Sequence, residues 1–326
     1  MIPATSTSPR PGVVRYVVHP ALAGQRLDQG LAALAGVPRR RVRALVSEGR
    51  LWLNGKPSRV LSRHLRLADV LDVVPGDEVL APPPPVQPDL AILHEDGWLV
   101  AVDKPAGLTT QPPRKRARGE LTAHERVLMQ LAAREGKQVE VLLFHRLDRL
   151  TTGVLVFARQ HDAARALTKI WGSGAAHKHY LAVVHGGQDD PPRKISGAIS
   201  HDPLVPGRFR VARGGKPAIT EVHLLARLGE FSLLEIRPLT GRTHQVRVHL
   251  AEAGFPVAGD TLYGGGGGVP RPFLHAWRLD FPHPRTGAQL RIEAPIPADM
   301  QAFLVELGLA TQTLAASALR ARNQVS

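Results

Sequence analysis

Four consecutive prolines, within the segment APPPPVQP at residues 81 to 88, constrain this chain more than any other feature. Proline fixes φ and supplies no amide donor, so such a run lies inside neither a helix nor a sheet. It reads as a linker between two folding units, with few contacts expected across the join. The whole chain has 326 residues, enough for a small unit before the prolines and a catalytic-sized unit after them. The expected division is a disordered lead over 1–14, a small domain over 15–80, the linker over 81–88, a large domain over 89–308 and a tail over 309–326.

In the small domain, Leu27, Leu31 and Leu34 recur at helical spacing and Gly36 follows as a C-cap. Pro38 opens a second helix with Val42, Leu45 and Val46 on one face, ending at Gly49. Asn54-Gly55 between short apolar runs signals a type I′ hairpin. The second helix begins with Arg39, Arg40, Arg41 and Arg43. Positive charge there opposes the helix dipole, and an anionic ligand relieves it. These four arginines are expected to meet RNA phosphates, with a solvated helix face as the alternative.

Beyond the prolines, strands are expected over Trp98–Val102, Gly153–Ala158, Tyr180–Val184 and Phe231–Ile236, and helices over 161–171 and 243–253. Leu274–Phe281 and Gln289–Glu293 flank a turn at Thr286-Gly287 and form a late hairpin. The βαβ regularity of a parallel sheet is missing. The fold class is therefore α+β: a large domain with a mixed, largely antiparallel central sheet flanked by helices and loops, plus a small N-terminal ααββ domain. Gly264–Gly268 lacks the strand and helix context of a nucleotide-binding motif and reads as a loop.

Charge narrows the partner. Lys and Arg number 42 against 28 Asp and Glu, a net +14, and this balance favours a polyanion, most commonly nucleic acid. With no cysteine, thiol nucleophiles, disulfides and cysteine-ligated zinc are excluded. No apolar run approaches the ~18 residues that cross a membrane, and the first residues lack the order of a secretion signal. A cytoplasmic monomer with no membrane association is expected.

Three segments concentrate polar chemistry. His145-Arg146-Leu147-Asp148-Arg149-Leu150-Thr151-Thr152-Gly153 puts one carboxylate between two arginines just before an apolar strand, where it should stay ionised; by spacing alone a structural salt bridge explains it as well. Gly241-Arg242-Thr243-His244-Gln245-Val246-Arg247-Val248-His249-Leu250 leaves a strand and opens a helix, whose N-terminus suits an anion. Lys178-His179-Tyr180 enters a strand, and its tyrosine either joins the core or offers a base a stacking face.

HRLDRLTTG resembles the catalytic motif of the RluA family of pseudouridine synthases. Lys104-Pro105-Ala106-Gly107, the strand KHYLAVVHG, GRTHQVRVHL, Gly259-Asp260-Thr261-Leu262-Tyr263-Gly264 and Leu274-His275-Ala276 are similar to that family's other blocks, in order, over residues 90 to 300. Thr152 stands where serine is usual and keeps the hydroxyl; Gln111 stands where a histidine often follows. Residues 15 to 75 resemble the small RNA-binding domain shared by a ribosomal small-subunit protein and bacterial tyrosyl-tRNA synthetases.

The resemblance implies an isomerase that turns uridine into pseudouridine in structured RNA. Large-subunit ribosomal RNA is favoured and transfer RNA is the alternative, with a non-catalytic RNA-binding or ribosome-assembly protein as rival. No redox or energy input is needed, so no cofactor and no metal is expected. It makes Asp148 the indispensable carboxylate, acting either as nucleophile at the anomeric carbon or as base for the ribose 2′ proton. It implies that Tyr180 stacks on the base, that Arg242 pairs with Asp148, that Arg146 helps displace the nucleotide or holds its phosphate, and that Lys178 contacts this network. His145, Thr151 and Gly153 are expected to shape the loop, Leu250 to lie in the core, and Arg114 to Arg118 to form an exposed basic loop.

Overall fold

The computed structural model describes residues 12–76, 79–83, 89–112, 120–186, 189–266 and 268–309. The rest of the expected lead, residues 84–88 of the proline segment, the Arg114–Arg118 stretch and residues 310–326 of the tail lie outside the described residues. The chain divides into two compact units: one takes residues up to 90 with 109–143 and 157–160, the other 91–108, 144–156 and 161 onward. A segment from beyond the prolines thus joins the N-terminal unit.

In that first unit, β1 (Val14–Val17), β2 (Leu51–Leu53), β3 (Lys56–Pro57) and β4 (Val70–Val73) make a sheet of order β1-β4-β2-β3. Helices α1 (Leu27–Ala35) and α2 (Arg39–Ser47) bury Leu27, Leu31, Leu34, Val42 and Leu45 with the sheet in one apolar core. Gly36 caps α1 at φ 64°, and Asn54 and Gly55 both have positive φ, as a type I′ turn requires. The expected ααββ pattern therefore stands with two further strands, edge strand β1 and interior strand β4, which pair with each other in antiparallel register.

Helix α3 (Ala123–Glu135) completes the unit. Thr122 and Glu125 form a reciprocal capping box at its start, and Gly136 closes it in a left-handed conformation. Leu121, Met129 and Ala132 pack with Ala68 and Val70. Arg15 holds Asp72 through two hydrogen bonds, at 2.7 and 2.9 Å, and donates to the Ala133 carbonyl at 2.9 Å. The few contacts expected across the proline segment do not describe this helix.

The second unit is built on a nine-stranded sheet. Its strands are β5 (Ile92–Glu95), β6 (Leu99–Lys104), β7 (Thr152–Ala158), β8 (His177–His185), β9 (Lys194–Ser196), β12 (Ile219–Leu228), β13 (Phe231–Pro238), β14 (Leu274–Pro282) and β15 (Gln289–Glu293). They run in the order β5-β6-β7-β14-β8-β13-β12-β9, with β15 paired to β14. Short strands β10 (Ile199–His201) and β11 (Phe209–Val211) pair separately. Strands β7 and β14 are parallel, while the pairs β14/β8, β8/β13, β13/β12, β12/β9 and β14/β15 are antiparallel. This matches the expected largely antiparallel sheet.

Helices α4 (His161–Gly172), α5 (Gln245–Glu252) and α6 (Ala298–Glu306) accompany the sheet. Side chains alternate across β8, as a strand's two-residue period dictates. Ala182 and Val184 join the core that contains Val246 and Leu250 of α5; Leu181 and Val183 join the one that contains Met300 and Leu304 of α6. Leu250 is wholly buried.

Candidate active site

Asp148 lies in the loop ahead of β7, and the flanking residues explain how that loop is held. His145 Nε2 accepts the Val156 amide at 2.9 Å. Acceptance requires a neutral ring, and burial, with help from nearby Lys178, lowers the His145 pKa to about 3. The Thr151 amide donates to the Asp148 carbonyl at 3.2 Å, closing the turn. Thr152 and Gly153 sit opposite His275 and Ala276 in the parallel β7/β14 pair, and Thr152 Oγ1 lies 2.8 Å from His275 Nδ1. Gly153 has φ 109°, and a Cβ there would stand 2.2 Å from the Ala276 carbonyl oxygen, so no other residue fits. His145, Thr151 and Gly153 shape the loop, as expected, and Lys104 secures it from below. Wholly buried, the Lys104 ammonium donates to the carbonyls of Pro105, Leu108 and Arg149 at 2.9, 2.8 and 3.1 Å. Burial pulls its pKa down to about 7 and Asp148 opposes that pull. Three carbonyl acceptors also match the three protons of an ammonium, so we read it as charged.

The partner of Asp148 is not the arginine expected. Arg242 is exposed and its Nε donates to the Pro217 carbonyl at 3.1 Å. Arg247, five residues on and inside α5, reaches the carboxylate instead, with Nη1 3.4 Å from Asp148 Oδ2. Its Nε and Nη2 clamp buried Asp260 at 2.6 and 2.8 Å. Burial alone would weaken this guanidinium, but Asp260 and then Asp148 hold its pKa above the ordinary value. The reason for the difference lies in the helix start. The Gln245 side chain accepts from the Arg242 amide and from Thr240 Oγ1 at 3.0 and 2.7 Å, which pins Arg242 in the preceding turn. Arg247 falls within the helix, on the side facing Asp148. Arg247 and Asp260 both stand in the family-like blocks, but spacing alone does not say which arginine of the segment faces the carboxylate.

Lys178 and Tyr180 alternate on β8 with buried His179, which bonds Glu235 at 2.7 Å on the opposite side. Both line one cavity of about 320 Å³ together with Asp148, Arg146, Arg242, His244, Arg247 and Arg278. Among the described lining residues Asp148 is the single carboxylate. Burial and the Asp148 charge push the Tyr180 phenol up from its ordinary pKa, so it stays neutral. Burial lowers the Lys178 ammonium to about 8, and it donates to the Thr240 carbonyl at 2.9 Å. Trp171, with Phe144 and His145 against it, supplies an aromatic wall that the sequence reading passed over. The structure thus gathers Asp148, Arg146, Lys178, Tyr180 and Arg242 around one pocket.

The four α2 arginines divide. Arg39 pairs with buried Asp28 at 2.5 Å and Arg41 with Glu48 at 3.3 Å, while Arg40 and Arg43 are exposed. Arg39 therefore braces α1 against α2.

Comparison with known proteins agrees with this geometry. The family described as RNA pseudouridylate synthase matches residues 98–252, and the S4 domain family matches residues 25–71. A protein of Chloroflexus aurantiacus named as an uncharacterized RNA pseudouridine synthase is 35% identical, over 89% of this chain and 92% of its own. The ribosomal large subunit pseudouridine synthase D of Neisseria meningitidis serogroup A is 36% identical, over 88% of this chain and 80% of its own. The ribosomal large subunit pseudouridine synthase C of Escherichia coli is 32% identical, over 87% and 93%. The solved structure of human RNA pseudouridylate synthase domain containing 4 shares the fold, with a TM-score of 0.54 and 24% identity over 68% of this chain and 94% of its own. Fold and site together define an RNA pseudouridine synthase, an isomerase with an attached S4 domain. Within that class the chain belongs to the RluA family.

Proposed function

We propose that this enzyme converts specific uridines of large-subunit ribosomal RNA to pseudouridine, with Asp148 as the reacting carboxylate. The reaction breaks the bond from ribose C1′ to uracil N1, turns the ring and joins C1′ to C5; C5 loses a proton and N1 ends protonated. The observation that carries the reading is the cavity itself: one carboxylate, held by Arg247, beside Tyr180 and among cationic side chains. A glycosidic hydrolase needs a second carboxylate as proton donor, and no other lines the cavity among the described residues. Tyr180 presents a neutral ring for stacking on a base taken out of its stack. Arg146 and Lys178 supply charge for the phosphate of the displaced nucleotide. Asp148 serves as nucleophile or as base toward the 2′ proton; both roles require the same position.

The names of the relatives support the ribosomal substrate, and the S4 family match supports RNA contact by the N-terminal unit, with exposed Arg40 and Arg43 on its α2 helix. Such a substrate implies action in the cytoplasm. A monomer is the proposed working unit. Nucleoside analysis of ribosomal RNA incubated with the protein tests the chemistry: pseudouridine supports the isomerase, free uracil a hydrolase, and unchanged RNA a binding protein. Mapping pseudouridine in a deletion strain tests the substrate; sites lost from transfer RNA alone would refute the ribosomal assignment.

A further inference from the structure

Among the described lining residues other than glycine, His244 alone has a left-handed backbone, with φ 56° and ψ 15°. A residue with a side chain adopts that region at a cost and keeps it when its surroundings impose it. Here the conformation puts the imidazole between Tyr263 and Asp148. His244 Nδ1 lies 2.9 Å from the Tyr263 hydroxyl oxygen. That oxygen already accepts the Phe209 amide at 2.9 Å, so its own proton is free to go to Nδ1, and the ring's proton then resides on Nε2. Burial keeps the ring's pKa below its ordinary value, against the pull of Asp148. Phe209 and Tyr263 pack edge-on with the ring, at 5.5 and 5.8 Å between centroids, and fix its orientation.

Nε2 makes no hydrogen bond among the described residues. It stands 3.9 Å from Asp148 Oδ2, too far for a hydrogen bond. The gap suits one bridging hydroxyl: an oxygen about 2.8 Å from each atom spans the 3.9 Å separation at close to a right angle. Such a hydroxyl accepts from Nε2–H and donates to the carboxylate. A carboxylate that acts at ribose C1′ or C2′ has the 2′-hydroxyl as its neighbour. We propose that His244 holds the 2′-hydroxyl of the target uridine, its Nε2–H donating to the 2′ oxygen, and makes the enzyme select ribose at the reacting position. The 2′-hydroxyl is the group that distinguishes RNA from DNA. Tyr263 acts through His244 as a positioning residue. The proposal rests on Asp148 reacting at the ribose.

The test is a cycle between residue and substrate atom, using the full chain and a synthetic stem-loop carrying the mapped uridine as ribonucleotide or 2′-deoxynucleotide. Single-turnover pseudouridine formation by the wild type should slow by about 10- to 100-fold on the deoxy substrate, the range set by one unpaired buried donor. His244→Ala should lose a similar factor on the ribo substrate and little more on the deoxy one. His244→Gln, which keeps an amide donor at that reach, should recover part of the difference. Tyr263→Phe, a milder change that leaves the ring in place, should shrink the deoxy penalty. If His244→Ala and Tyr263→Phe keep the full wild-type penalty, His244 does not touch the 2′-hydroxyl and the proposal falls. If the wild type makes no pseudouridine on the ribo substrate, the reading of Asp148 falls first and takes this one with it.

Discussion

Arg242 and Arg247 are five residues apart, one in the turn before α5 and the other within the helix. Arg247 donates to both Asp148 and Asp260, so it aims the carboxylate. Arg247→Ala should therefore cut the single-turnover rate by roughly 10²- to 10³-fold, the usual size of a lost preorganised charge, with RNA affinity little changed. Arg242→Ala should act in the opposite sense, weakening RNA binding with a smaller effect on the rate; equal rate losses from the two would refute the assignment. Asp148→Asn should abolish product in a chain with wild-type thermal melting and near wild-type RNA affinity, and turnover close to wild type would end its role. Lys178 gives a pH test. Burial lowers its pKa to about 8, so it is charged below that pH and neutral above it. RNA affinity should weaken as pH rises through about 8, since an ammonium contact to phosphate is lost. In Lys178→Met the affinity should be uniformly lower and this step should vanish.

At the scale of elements, two pairings decide how the site is held. The parallel β7/β14 contact brings Thr152 against His275 and Gly153 against Ala276, so blocks of sequence more than a hundred residues apart make one strand pair beneath the catalytic loop. The other pairing is α3 with β1 and β4. Met129, Ala132 and Leu121 bury their apolar surface with Ala68 and Val70, and each large side chain there is worth about 1.5–3 kcal/mol. A chain shortened to begin near Pro88 uncovers that face. It should melt several degrees below the full-length protein and aggregate more readily, read by scanning calorimetry and light scattering. A truncated chain with an unchanged midpoint would show that α3 is stable without the N-terminal strands.

For the whole molecule the governing quantity is charge. Of the net +14, the residues around the cavity account for part, and exposed Arg40 and Arg43 on α2 for another. Because Arg39 and Arg41 have carboxylate partners, the double variant Arg40→Glu, Arg43→Glu tests the N-terminal unit without breaking an ion pair among the described residues. Each phosphate contact contributes about −0.7 to −0.9 to the slope of log affinity against log salt. The double variant should flatten that slope by roughly one to two units and leave the rate at saturating RNA near wild type. An unchanged slope would mean that α2 does not meet phosphate.

Much of this was legible along the chain, because the relevant rules are local. Helical spacing with a glycine C-cap located α1, Asn54-Gly55 located the hairpin that follows the helices, and the apolar run located β8. The blocks around Asp148 carried the family and the reaction. The helix α3 was also within reach, since Thr122 and Glu125 have capping-box spacing and Gly136 follows, but its apolar face has no partner nearby in sequence. What the sequence by itself determined was many of the elements, the class of chemistry and the carboxylate proposed to react. Only the tertiary structure decided that Arg247 rather than Arg242 reaches Asp148, that Asp260 backs it, that Arg39 is spent on Asp28, and that α3 packs with residues from before the prolines. Each of these depends on distances between segments far apart in the chain, where a hydrogen bond forms within about 3 Å or not at all, and residue spacing carries no such distance.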